Sequence, residues 1–447
     1  MSPHAIPPLH YALEGHRCAL SPAEDGSNGF LPSLPPLDLL PDPYYQPWES
    51  VIEELPRHIK DRSIRSRVQE LPILDVGHLR TVPEWRRAYI ILSILAHGYI
   101  WGGDRAAEVL PPPITVPLLR VSSHLELLPV ATYASTCLWN FRTTSPADLT
   151  RVDSLRALHT FTGTEDESWF YTVSVAMEAQ GAHIVPIMLR ALKSVRRRDH
   201  ATITHALDEL ATCIRRIHAL LGRMYEKCDP TVFYYHIRPF LAGSKNMASA
   251  GLPRGVFYDE GDGAGEWMQL RGGSNGQSSL IQFLDIVLGV EHTSTGNNSP
   301  DAVSKTGGEK KKELNFHEEV RAYMPAEHRQ FLEDVGRMGS IRDFAELQSD
   351  AAPPEQQERL RTAFRAATRA LTEFRNKHLE IVTRYIIIPS RRKPVGGRVG
   401  LAGAAAGQKQ DREGKGELTG TGGTALLPFL KQVRDETAEA GRLGECL

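Results

Sequence analysis

The sequence predicts an all-α protein, and three observations carry that reading. Apolar residues recur every three or four positions through several long segments, sustained alternation of period two is nearly absent, and Pro and Gly cluster where the periodic segments end. A length of 447 residues suggests two or three domains rather than one small core. With 41% hydrophobic and 24% charged residues the composition is that of a soluble globular protein. The net charge of −2 provides no long-range field for nucleic acid or an anionic membrane, and no stretch approaches the roughly 20 apolar residues of a membrane span. Neither nucleic acid nor membrane is an expected partner.

Residues 1 to 35 are rich in Pro, Gly and Ser and predict a loose arm. Their start, "MSPHAIPPLHYALEGHR", has no apolar core behind a basic segment, so it does not read as a signal peptide. Residues 36 to 155 predict a small helical domain and a connector. "PWESVIEELPRHIKD" and "VPEWRRAYIILSILAHGYIW" both repeat at helical spacing; in the second, Pro83 suits a first turn and Gly102-Gly103 marks the exit. "PPPITVPLLRVSSHLELLP" (111 to 129) is broken by prolines and reads as an extended connector. Helical periodicity resumes at "VATYASTCLWNFR".

Residues 156 to 447 predict a larger helical domain. Periodicity runs through "ESWFYTVSVAMEAQGAHIVPIMLRALKSV" and "HATITHALDELATCIRRIHALLGRMYEKC". Two Gly-, Ser- and Lys-rich segments, 292 to 313 and 390 to 420, hold almost no large apolar residue and predict mobile insertions. Between them, "PPEQQERLRTAFRAATRALTEFRNKHLEIVTRYIII" reads as one long helix with its prolines at the start. The cysteines Cys18, Cys137, Cys213, Cys228 and Cys446 are odd in number, scattered and without a CxxC pair. That argues against a disulfide framework and a cysteine zinc site, and points to a reducing, cytoplasmic setting.

The long helix raises the first chemical question. His378 sits on the same stripe as Leu371, Phe374 and Tyr385, where an aliphatic side chain would pack better. An unpaired buried ring nitrogen costs roughly 1–3 kcal/mol. Either the imidazole is a core residue bonded to a backbone carbonyl, or a metal takes one nitrogen. No histidine or carboxylate stands three or four residues away, which excludes HExxH zinc chemistry but suits an axial haem ligand, since the porphyrin brings the other nitrogens. "RGGSNGQSSLIQ" (271 to 282) is either a flexible turn with serine capping or a loop whose backbone approaches a flat ligand. "DPTVFYYHIRPFLAGS" (229 to 244) holds either core aromatics with a solvated arginine, or a site where Phe233 stacks on an aromatic ring and Arg238 forks onto a carboxylate. GxSxG is absent, and no nucleophilic triad is indicated.

At this point four stretches together resemble the indoleamine 2,3-dioxygenase family in its fungal form: "GGSNGQSSLIQ", "VRAYMPAEHRQFL", "FRNKHLEIVTRYIIIPS" and "GTGGTALLPFLKQVRDET". The resemblance runs from about residue 35 to about 440 and skips the two insertions. It implies a two-domain helical protein that binds haem b, with a small N-terminal domain packed on a larger haem-binding one. The implied reaction inserts both atoms of O2 into the indole 2,3 bond of L-tryptophan, giving N-formylkynurenine on the route toward NAD. It also implies an electron donor that keeps the iron ferrous, and a monomer.

By resemblance His378 is the proximal iron ligand, and Asp285 pairs with Arg375 to tie two haem-bearing helices together. Tyr133, Phe170 and Ser174 match distal pocket positions, Ser174 offering a hydroxyl. Phe233 and Arg238 match the residues that hold the indole ring and carboxylate. Gly273, Ser274 and Asn275 match the loop beside haem and substrate, and Thr421 matches a hydroxyl that meets the substrate's carboxylate and amine. Ser174, Phe233 and Arg238 are thus the expected catalytic set. Tyr171, Tyr234 and Ser244 depart from the mammalian pattern; the tyrosines are expected to narrow or polarise the pocket edge, and the changes bear on substrate affinity more than on reaction type. Two rival readings remain: a haem-binding paralogue with weak turnover that acts as a sensor or regulator, and a helical scaffold in which His378 is a plain core residue.

Overall fold

The long periodic segment forms the spine of the molecule. In a computed structural model, which describes residues 28–293, 316–347, 353–392 and 426–443, a helix runs unbroken over Pro354–Val382. Pro353 and Pro354 open it, where the missing N–H groups have no helical acceptor to lose. Leu360, Phe364, Ala367, Leu371 and Phe374 step by three and four along its buried face. Each large apolar side chain so buried contributes about 1.5–3 kcal/mol. The helix packs mainly along His200–Gly222, and secondarily against the C-terminal helix Leu426–Ala440.

A second helix, Val82–Trp101, is buried at every residue from Arg87 onward, as a helix apolar on all sides must be. Gly102 caps it, as the sequence suggests. Helices Glu165–Ala182 and Ile184–Val195 follow the predicted periodicity, with Thr164 accepting a capping bond from the Glu167 amide. One hydrophobic cluster of buried side chains runs from Phe30 to Leu443.

The structure departs from the sequence reading in four places. The expected connector, 111 to 129, contains a helix, Pro112–His124. Its first two prolines occupy positions that need no N–H, and burial of Ile114, Thr115, Leu118 and Val121 outweighs the hydrogen bond lost at Pro117. Short strands supplement the helices. Val109–Leu110 pairs in parallel with Val256–Gly261, which turns through Asp262 and Gly263 into antiparallel Ala264–Met268. Gly261, Asp262 and Gly263 all adopt positive φ, the geometry that the "DG" pair favours in a hairpin. Phe141–Thr143 and Leu155–Ala157 form a second, two-stranded sheet. Third, the stretch 28 to 35, read as part of the loose arm, has Phe30 and Leu31 buried, with Phe30 set edge-on against Phe283, His328 and Phe331. Fourth, the first residues of the 292 to 313 insertion are held: the Thr293 amide donates to Glu436 at 3.0 Å. Residues 294–313 and 393–420 of the two insertions, residues 1–27, Cys18, Cys446 and Thr421 lie outside the described residues. None of the described helices is long and apolar enough to cross a membrane.

Candidate active site

Three departures from α-helical geometry converge on one cavity. The π-helical turns Ala134–Leu138, Phe233–Ile237 and Thr383–Ile387 supply Cys137, Phe233 and Tyr385 to its wall. A π turn carries one extra residue and re-aims the side chains beside it, which is why such turns concentrate at functional sites. The space free of protein atoms, open mouth included, is about 1190 Å³.

His378 enters this cavity from the long helix, with Ile381, Val382 and Tyr385 following at i+3, i+4 and i+7 on the same face. Burial, reinforced by the nearby Arg375 charge, holds the imidazole at a pKa of about 4, so it is neutral at physiological pH and keeps a lone pair. Among the described residues neither ring nitrogen of His378 has a hydrogen-bond partner. His97 is the opposite case. Its Nδ1 lies 2.7 Å from the Phe240 carbonyl and its Nε2 accepts from the Ala131 amide at 3.1 Å. A core histidine is bonded in this way; His378 is not. An open neutral imidazole beside Val173, Leu221, Met224 and Leu241 fits an apolar prosthetic group whose metal takes the nitrogen.

Tyr133, Phe170, Ser174, Phe233 and Arg238 line the same cavity. The Phe170 and Phe233 rings meet at 4.9 Å and 56°, and Phe233 stands edge-on to Tyr385 at 5.7 Å. Ser174 Oγ makes long contacts of 3.5 Å, one to the Phe170 carbonyl and one from Asn275 Nδ2, and also neighbours the Tyr133 hydroxyl and the Cys137 thiol. Arg238 is the one charged group lining the cavity among the described residues. Burial pulls its pKa down to about 10, with the Tyr234 ring opposing, and it stays cationic. Such a charge is costly to bury unless something pairs with it.

The glycine-serine loop contributes Gly273, Ser274 and Asn275 to the wall. Gly272 does something else. It crosses Gly243 backbone to backbone, so closely that a Cβ on Gly272 would sit 1.9 Å from the Leu241 carbonyl oxygen. Gln277 braces the loop, donating to the Gly272 carbonyl at 2.8 Å and accepting from the Tyr133 amide at 2.9 Å.

Asp285 and Arg375 do not line the cavity but lie behind it. Arg375 Nη2 donates to both Asp285 oxygens at 2.6 and 2.8 Å, and Nη1 to the Val433 carbonyl at 3.0 Å. Burial opposes ionisation of Asp285, yet Arg375 and His292 hold its carboxyl below the ordinary range. The pair pins the His378 helix to Ser279–Val287.

Tyr171 and Tyr234, expected at the pocket edge, and Ser244 are not among the residues that line it. The Tyr171 hydroxyl donates to Glu167 at 2.8 Å, Tyr234 packs against Tyr235 and Ile386, and Ser244 bonds the backbone at Met268 and Leu270. Conversely, the sequence reading overlooked Glu178, four residues after Ser174. It is buried, with the Tyr133 hydroxyl at 3.0 Å and Ser278 Oγ at 2.6 Å on one carboxylate oxygen and no partner on the other. Burial lifts its pKa to about 7 against those two bonds. A lone carboxylate in the apolar run "SVAMEAQ" was the available signal. Phe316, Leu426, Phe429 and Leu430, from the ends of the two insertions, complete the wall.

Fold and cavity together define a mostly helical protein of the cofactor-binding enzyme class. The chain belongs to the indoleamine 2,3-dioxygenase family, whose sequence profile matches residues 24–440. It is 39% identical to an indoleamine 2,3-dioxygenase of Aspergillus candidus over 92% of this chain and 94% of that one. It is likewise 39% identical to the indoleamine 2,3-dioxygenase of Saccharomyces cerevisiae, over 92% and 90%. A 6-hydroxytryptophan 2,3-dioxygenase of Fusarium equiseti is 34% identical, over 93% and 95%. The protein is therefore a dioxygenase, an oxidoreductase of a haem-dependent family that acts on tryptophan-like indoles with O2.

Proposed function

We propose that the substrate is L-tryptophan, that haem b binds through His378, and that both atoms of O2 enter the indole 2,3 bond to give N-formylkynurenine. The observation that carries this reading is an open, neutral imidazole in the same cavity as an aromatic pair and a buried guanidinium. Haem, when bound, supplies the activation of dioxygen. His378 Nε2 or Nδ1 holds the iron, and the long helix, pinned by Arg375 and Asp285, fixes the imidazole's direction. Phe233 and Phe170 hold the indole by area and ring packing. Arg238 pairs with the amino-acid carboxylate through its fork, which offsets the burial of both charges. Ser174 offers a single hydroxyl to the indole N–H or to oxygen. Among the described residues the wall carries no carboxylate, in keeping with a reaction that needs no carboxylate base, and Phe316, Leu426 and Phe429 add apolar surface that would limit the entry of water.

This proposal includes an electron donor that keeps the iron ferrous, a monomer, and a division near residue 155 between a small and a large helical domain. Free Cys137, Cys213 and Cys228 accord with a reducing, cytoplasmic setting. The test is a reductant-supported assay of the haem-loaded protein with L-tryptophan and 6-hydroxytryptophan side by side. N-formylkynurenine is expected from L-tryptophan, and Arg238→Leu should weaken tryptophan about 100-fold while barely affecting indole analogues that lack a carboxylate. Preference for 6-hydroxytryptophan would overturn the substrate. A normal Soret band without turnover on either would favour the sensor reading.

A further inference from the structure

One turn after Ser174 on the same helix, and behind the cavity wall, lies a buried carboxylate. Glu178 Oε1 takes the Ser278 hydroxyl at 2.6 Å and the Tyr133 hydroxyl at 3.0 Å. Its Oε2 is buried and has no hydrogen-bond partner among the described residues. Glu178 does not line the cavity, but Tyr133 and Ser174 do.

The direction of each proton in this group follows from its partners. Ser278 Oγ accepts the Ile281 amide at 3.3 Å as the cap of the helix Ser279–Val287, so its one proton goes to Glu178. The Tyr133 proton goes to the same carboxylate oxygen, which leaves the phenol oxygen as an acceptor. A proton taken up by Glu178 sits on Oε2, the open oxygen, and leaves both bonds on Oε1 standing. The polarity is the same whether the carboxyl is charged or neutral.

Ser174 inherits that polarity. Its hydroxyl lies beside two acceptors, the Phe170 carbonyl at 3.5 Å and the Tyr133 oxygen. Asn275 Nδ2 approaches it as a donor at 3.5 Å, and the neighbouring Cys137 thiol is a weak partner. The Ser174 proton is thus drawn back into the wall. A lone pair remains for a ligand, with no proton left to give.

We propose that Glu178 is a positioning residue of the dioxygenase: acting through Tyr133, it sets Ser174 as an acceptor for the ring N–H of the substrate rather than as a donor to oxygen. This rests on the reading of an indole amino acid as substrate. The class that follows is an indole with a free N–H. An isostere without that proton leaves the Ser174 lone pair buried and unmet, a mismatch that polar sites reject.

The test compares dissociation constants of L-tryptophan and of its benzofuran analogue, which has a ring oxygen in place of N–H. They are read from the Soret shift of the haem-loaded full chain. The unaltered chain should bind tryptophan more tightly by about tenfold or more, the worth of one hydrogen bond. Glu178→Leu should bring the two ligands within about threefold of each other. Glu178→Gln keeps an accepting oxygen for both hydroxyls and should restore most of the difference. A merely structural role would weaken both ligands alike and leave the ratio unmoved. Equal affinities in the unaltered chain, or an unchanged ratio in Glu178→Leu, would overturn the inference. Should that variant not fold, Tyr133→Phe decides by the same ratio: a fall supports the inference, and no change overturns it. Tryptophan that does not bind at all sinks the substrate reading and this inference with it, whereas tight tryptophan binding with an unmoved ratio sinks the inference alone.

Discussion

His97 and His378 are both interior histidines held at a pKa of about 4 by burial, yet they sit in regions built on opposite terms. Around His97 every polar atom is used: one ring nitrogen faces the Phe240 carbonyl and the other the Ala131 amide. Around His378 the cavity wall supplies aliphatic and aromatic carbon and no hydrogen-bond partner among the described residues. Desolvation alone therefore does not mark a ligand. What sets His378 apart is that its unpaired ring faces a cavity, where a ligand has room to meet it.

The comparison breaks most sharply at His378 itself. His378→Ala should abolish the Soret band of protein expressed with ample haem, while far-ultraviolet circular dichroism stays helical. A normal haem complement in that variant would remove the assignment. Next in size is the anchor behind the helix. Arg375→Leu leaves Asp285 buried without its guanidinium partner and should cost about 3–5 kcal/mol in urea unfolding. The double variant Asp285→Leu/Arg375→Leu should recover much of that loss, since no uncompensated charge remains.

His97→Leu is the mirror of the first experiment. It strands the Ala131 amide and the Phe240 carbonyl and should cost about 2–4 kcal/mol of stability, with haem uptake retained. Equal loss of haem in this variant and in His378→Ala would erase the distinction between the two regions. The smallest effect is in pH dependence. His97 and His328 have folded pKa values of about 4 against an ordinary 6.5, so between those values the unfolded chain binds more protons and stability falls as pH falls. Both losses are complete once pH is below 4. Glu178, raised to about 7 from 4.5, works the other way: its contribution is full below pH 4.5 and is lost as pH rises through 7. Glu178→Gln should flatten that part of the stability profile, measured as urea midpoints from pH 4.5 to 7.5.

By itself the sequence determined the helices whose periodicity was long, the capping prolines and glycines, and the stripe that carries His378, because a 3.6-residue repeat is a local property of the chain. The family resemblance likewise marked Tyr133, Phe170, Ser174, Phe233, Arg238 and the glycine-serine loop, which the fold gathers around one cavity. The tertiary structure alone decided which histidine is satisfied: the partners of His97 lie 34 and 143 residues away, and no spacing rule reaches that far. It also turned Pro112–His124 into a helix by burying one face, and kept Tyr171 and Tyr234 out of the cavity's lining. Glu178 reached Tyr133 and Ser278 only through packing of the Glu165–Ala182 helix. Propensity and period act over a few residues, whereas the pairing of a buried polar atom depends on whatever distant backbone the fold brings beside it.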